Sequence, residues 1–177
     1  MTRIRVLSPV GVATRDMVTV PPLPESLVGR TIGFLDNRKA NFDRLADEIG
    51  GILRAEHGVK AVIHRRKANA ATPAAPEILA GLAKDCDVVF AGSADRGSCT
   101  SWSLHDAIEL AQAGTPAGLI GTTAFQGLAV SELGALGISG LPLVMIEHPL
   151  GGERGCRSSG RRQSTFSRAV SRPIQPI

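Results

Sequence analysis

The sequence predicts a doubly wound α/β domain: a parallel sheet of about five strands with helices on both faces, a Rossmann/flavodoxin-like three-layer sandwich. Short aliphatic runs at 31–35, 59–64, 87–91, 116–121 and 143–146 alternate with longer stretches in which apolar residues recur at helical spacing. Strands separated by helices of roughly 10–15 residues pair in parallel through right-handed crossovers. The composition agrees, since 43% of residues are hydrophobic yet only 3% are aromatic, as in helices packed on an aliphatic sheet.

Residues 1–30 contain Pro9, Pro21, Pro22 and Pro24 without sustained periodicity and read as an irregular arm lying across the domain. The first strand ends at Asp36-Asn37-Arg38-Lys39. Asn41 is then placed to cap a helix on which Phe42, Leu45, Ile49, Ile52 and Leu53 share a face, and Gly58 stops it. After the second strand, Thr72 supplies a capping hydroxyl and Pro73 a first-turn proline for a helix bearing Ile78, Leu79 and Leu82. The third strand leads into a loop around Cys99, and the next helix is expected from about Ser101 to Ala113. Phe125, Leu128, Ala129, Leu133 and Leu136 mark the last helix. The domain thus spans 31–152. Beyond it, 153–177 is rich in Arg, Ser and Pro with no apolar periodicity; it cannot bury enough surface to order itself and is expected as a disordered basic tail.

The basic balance is confined to that tail. Six arginines (Arg154, Arg157, Arg161, Arg162, Arg168 and Arg172) follow Glu153 with no acid, which leaves residues 1–153 with 14 basic and 16 acidic groups. No specific nucleic-acid partner is expected, although the tail attracts polyanions non-specifically. No apolar run reaches the about 18 residues a membrane helix needs, and Met1–Arg5 lacks a secretory signal, so a cytoplasmic chain without membrane contact is expected. The three cysteines, Cys86, Cys99 and Cys156, have neither disulfide-framework nor metal-ligand spacing. Reduced thiols follow, with Cys86 in the core and Cys156 exposed in the tail. Neither the GxGxxG nor the GxxxxGK fingerprint is present, so no cofactor and no metal are expected.

In such a sheet, ligands bind beyond the carboxyl ends of the strands. Five loops belong to that edge: 36–39, 65–67, 92–99, 122–123 and 148–152. Cys99 precedes a helix whose unpaired amides favour an anion, and a thiolate there is a nucleophile; the alternative is a small residue packed at a helix start. Gly97 permits a tight turn, and Ser98, Thr100 and Ser101 offer hydroxyls to the helix or to a substrate, as does Thr122 on its own loop. His148 leaves the fifth strand on the same edge and is the preferred partner for Cys99, with turn-shaping before Pro149 as the alternative. His105 points away from the helix mouth and is better paired with Glu109. Asp36 is either a catalytic or ligand-fixing carboxylate or a cap for the following helix. Trp102 either stacks on a ligand or packs on the sheet. Arg38, Lys39, Arg65, Arg66 and Lys67 suit a small anion such as a carboxylate.

Three segments carry a resemblance: Ile32-Gly33-Phe34-Leu35-Asp36-Asn37-Arg38-Lys39-Ala40-Asn41, Gly97-Ser98-Cys99-Thr100-Ser101-Trp102-Ser103-Leu104-His105-Asp106, and Glu147-His148-Pro149-Leu150-Gly151-Gly152. Together they resemble the UGSC-type (seleno)protein family over about 17–152. The middle motif is also similar to the selenocysteine region of the substrate-binding subunit of glycine and betaine reductases. The resemblance implies a selenol or thiol pair, but Arg96 stands where the family has the first selenocysteine or cysteine. Arginine cannot attack or form a selenenylsulfide; it holds a thiolate or an anionic substrate by charge. The function expected is therefore a thiol-dependent oxidoreductase or nucleophilic enzyme acting through Cys99, impaired by Arg96, on a small anionic substrate and served by a redox partner protein. The alternative is a non-catalytic small-ligand-binding or partner subunit.

Overall fold

The structure is a computed structural model and describes residues 19–151. The predicted arm before Thr19, and the tail with Cys156, lie outside the described residues. Strand β1 (Thr31–Asp36) is followed by α1 (Phe42–His57), β2 (Ala61–Arg66), α2 (Pro76–Asp85), β3 (Val88–Ala94), α3 (Gly97–Gln112), β4 (Ala117–Thr122), a single 3₁₀ turn (Thr123–Phe125), α4 (Gln126–Leu136) and β5 (Leu143–Ile146). All strand pairs are parallel and the order is β2-β1-β3-β4-β5. This is the flavodoxin-like doubly wound order, with its switch point between β1 and β3.

Each face of the sheet has its own core. Phe42, Leu45, Ala46, Ile49 and Leu53 of α1 pack on Ile32, Phe34, Val88 and Phe90. Leu79 and Leu82 of α2, Leu104, Ala107, Ile108 and Leu110 of α3, and Ala129 and Leu133 of α4 pack on Val89, Ala91 and Leu119 on the other face. The period-2 alternation of strand side chains sends Val88 and Phe90 to one core and Val89 and Ala91 to the other. The two strands flanking the switch point therefore carry helices on opposite faces, and their carboxyl ends open a crevice between them. Among the described arm residues, Thr19 forms a parallel bridge with Ser139, Val20 packs on the α2–α4 core, and Leu23 and Leu27 pack on the α1 core.

Three local expectations are corrected. Helix α3 begins at Gly97 rather than Ser101, so Cys99 lies in its first turn and not in a loop before it. Helix α2 begins at Pro76 behind Ala75, and Pro76 rather than Pro73 is its first-turn proline. The Thr72 carbonyl accepts a hydrogen bond from Lys67 Nζ (2.8 Å) instead of leading into the helix. Asn41 does precede α1, but in the left-handed region (φ 68°) and without a side-chain capping bond; its amide is used elsewhere.

Candidate active site at the switch point

At the end of β1, Asp36 is buried and its two oxygens are engaged. Oδ1 accepts the Arg38 N–H (2.6 Å) and Oδ2 accepts Arg66 Nε (2.7 Å). The hydrogen bond to Asp36 holds the Arg66 guanidinium above its ordinary pKa. Asp36 thus ties two arginine-bearing loops together, and it does not cap α1. The adjacent Asn37, fully buried, bridges β1 to β3: Nδ2 donates to the Ser93 carbonyl (3.0 Å) and to Ser103 Oγ (2.9 Å), while Oδ1 accepts the Ser93 N–H (3.0 Å). These bonds close the base of the crevice.

Beside it lies a shallow cavity of about 340 Å³ lined by Arg38, Lys39, Ala40, Asn41, Asp43, Arg44 and Arg66. Arg66 is paired with Asp36 and, more loosely, Asp43. The Arg38 guanidinium and Lys39 ammonium have no hydrogen-bond or ion-pair partner among the described residues. Lys67, by contrast, is 1% exposed and salt-bridged to Asp106, so it does not face a ligand as the sequence suggested. Burial of a charge requires such a partner, and the charge pattern of a loop cannot show it.

At the end of β3 is Asp95, buried, which sequence reasoning did not single out. Oδ1 accepts the Leu150 N–H and Oδ2 the Gly151 N–H, each at 3.2 Å. His148 Nδ1 lies 3.2 Å from the same Oδ1 and 3.0 Å from Thr122 Oγ1. A carboxylate only accepts, so a ring facing Asp95 through Nδ1 favours the tautomer with the proton there, and in that neutral form Nε2 is the acceptor. The Phe125 ring packs against the imidazole at a centroid distance of 5.8 Å, and the His148 side chain is 38% exposed. The arrangement is a carboxylate-oriented imidazole, the usual form of a general base. The signal that could have found Asp95 is its position: it ends β3 as Asp36 ends β1, beside the switch point.

Cys99 is 0% exposed. Its Sγ accepts the Arg96 N–H (3.1 Å) and donates to the Arg96 carbonyl (3.2 Å). It thus takes the third-position role of a capping box, usually filled by Glu or Gln. Thr100 Oγ1 also donates to the Arg96 carbonyl (2.7 Å). The expected Cys99–His148 pairing is not formed, because the thiol is turned into its own helix start while the imidazole faces Asp95. Arg96, Gly97 and Ser98 are exposed at the crevice rim, and the Arg96 guanidinium has no partner among the described residues.

Two expected site residues lie elsewhere. Ser101 hydrogen-bonds Glu132 of α4. Trp102 is half-buried, tilts against His105 at 5.7 Å, and lines a separate cavity of about 540 Å³ with Pro73, Glu109 and Leu136. His105 therefore meets Trp102, not Glu109. Among the described residues, no three His, Cys, Asp or Glu side chains gather as a metal-binding group, and no helix is long and apolar enough to cross a membrane.

No curated protein matches the chain. Among solved structures, the crystal structure of the FMN-dependent cysteine decarboxylases SpaF is similar at 14% identity and a TM-score of 0.43, over 82% of this chain and 99% of that one. That likeness is too distant to inform the site. The model of the UGSC family matches residues 5–171, nearly the whole sequence and all three motifs at the crevice, and this chain belongs to the UGSC family.

Proposed function

We propose that this protein is an enzyme acting on a small anionic substrate, of carboxylate type, bound at the switch-point crevice. His148 is its acid–base group, oriented by Asp95, and Arg38, Lys39 and Arg96 hold the anion. The observation that carries this reading is the Asp95–His148 contact, with the carboxylate fixed by two backbone amides and three unpaired cations nearby. A base whose Nδ1 is occupied takes a proton at Nε2, and cations at the rim bring the substrate's charged group to it. Cys99 in this reading shapes the start of α3 and so places Arg96.

The second reading makes Cys99 itself the reacting group, in thiol-dependent redox or nucleophilic chemistry. It is favoured by the position of Sγ in the first turn of a 16-residue helix, bonded to an amide that would equally stabilise a thiolate. It requires the thiol to leave that bond and gain access to solvent.

The test is a screen of mono- and dicarboxylates against the ¹⁵N-labelled full chain. Binding should move the amides of 38–41 and the His148 ring in the wild type, and should be lost in Arg38→Ser/Lys39→Ser. No carboxylate perturbing that edge would reject the proposal. Turnover of a binder should be lost in His148→Gln and kept in Cys99→Ser; the reverse pattern replaces the acid–base reading with the thiol reading.

A further inference from the structure

The loop carrying Leu150 and Gly151 is held from three directions. The Leu150 side chain is buried in the α1 core. The Leu150 and Gly151 amides bind the two oxygens of Asp95. The Leu150 carbonyl accepts Asn41 Nδ2 at 2.8 Å. The third tie is unexpected, since Asn41 stands where a residue normally caps the following helix. Its φ of 68° lies in the left-handed region, which among side-chain-bearing residues Asn, Asp and His tolerate best. That conformation turns the amide away from α1 and across to residue 150. The fit on the far side is close as well: a Cβ added at Gly151 would stand 3.2 Å from Asp95 Oδ2.

We propose that Asn41 is a positioning residue for His148, acting through the Leu150–Gly151 loop and Asp95; this rests on the acid–base reading of His148. The chain of contacts runs from Asn41 Nδ2 to the Leu150 carbonyl, from the next amides to the Asp95 carboxylate, and from Oδ1 to His148 Nδ1. Without the Asn41 donor, the loop loses the tie that fixes its height on the α1 side. The two amides then withdraw from Asp95, the carboxylate turns toward water, and the imidazole loses its carboxylate partner, which leaves the Thr122 hydroxyl to donate to Nδ1 and favours the Nε2–H tautomer. Asn41 also lines the cation-rich cavity, so the group that holds the base in register touches the place where the anion is held.

The experiment reads the tautomer of His148 by ¹⁵N NMR of the imidazole nitrogens in the full-length protein, at a pH where the ring is neutral. The wild type should carry the proton on Nδ1, and Asp95→Ala should move it to Nε2. Asn41→Gly keeps the left-handed backbone and removes only the donor; it should lower the Nδ1–H to Nε2–H ratio about tenfold, the scale of one lost hydrogen bond. Gly151→Ala, whose Cβ presses on Asp95 at 3.2 Å and meets Ala40 only at ordinary contact distance while the Asn41 donor stays in place, should do the same. A role confined to folding would move the melting temperature and leave the tautomer alone. A wild-type tautomer in a folded Asn41→Gly overturns the inference, and Gly151→Ala decides it if that variant does not fold. A wild-type His148 already protonated on Nε2 instead removes the acid–base reading itself.

Discussion

Replacing Lys67 with methionine is the perturbation whose cost the structure fixes most firmly. Both Lys67 and Asp106 are 1% exposed and salt-bridged, and Asp106 Oδ1 also accepts the Ala74 N–H at 2.8 Å. Removing one partner of a buried pair strands the other charge, at about 3–5 kcal/mol. For a chain of this size, at about 3 °C per kcal/mol, that lowers the melting temperature by roughly 9–15 °C. Adding Asp106→Leu removes the stranded carboxylate and should restore most of the loss, short by the unsatisfied Ala74 amide at about 1–2 kcal/mol. Thermal and urea unfolding followed by circular dichroism measure both variants. The reasoning is wrong if Lys67→Met lies within about 1 kcal/mol of wild type, or if the double variant is no more stable than that single one.

Other outcomes follow from the same structure. Gly92→Ala places a Cβ 2.5 Å from Phe42 Cε2, so it should cost about 1–3 kcal/mol by overpacking, read as a lower melting temperature. Burial pushes the Cys86 thiol from its usual 9.0 up to about 11. Its folded pKa is raised, so the contribution to stability is whole below about pH 9 and lost as pH rises through about 11; Cys86→Ala should flatten the stability curve over that window, and native Cys86 should resist iodoacetamide until pH climbs into it. The hydrogen bond from the Thr31 amide, with Arg30 beyond it, lowers Asp87 below its usual 3.8. That contribution is present above the usual value and lost as pH falls through the lowered one, so Asp87→Asn should be less stable than wild type near neutrality and converge with it in acid, measured by urea unfolding at stepped pH.

The residues expected at the site meet at one sheet edge, but Cys99 and His148 do not pair there. The placement of His148, Thr122, Arg96 and Arg38 was legible because each lies at or just beyond a strand end on the carboxyl side of a parallel sheet, and strand periodicity fixes which ends those are. Asp95 was not singled out because Cys99 offered a more conspicuous chemistry four residues on. The thiol's actual position depends on where α3 starts. Starting at Gly97 instead of Ser101 brings Sγ into the first helical turn, where the Arg96 amide captures it. Helix starts are weakly specified by sequence when hydroxyls at Ser98, Thr100 and Ser101 can all serve as caps.

By itself the sequence determined the five strands, their parallel pairing and the two-faced core, because hydrophobic periodicity and the handedness of crossovers leave few alternatives. It also carried the family, through the motifs at the crevice. Only the tertiary structure decided how the polar side chains pair. Asn41 with Leu150 and Lys67 with Asp106 join residues 109 and 39 positions apart. Pattern along a chain reports which face a residue occupies, whereas the partner of a buried polar group depends on what the fold brings within hydrogen-bond distance, and the balance of desolvation and pairing is settled only there.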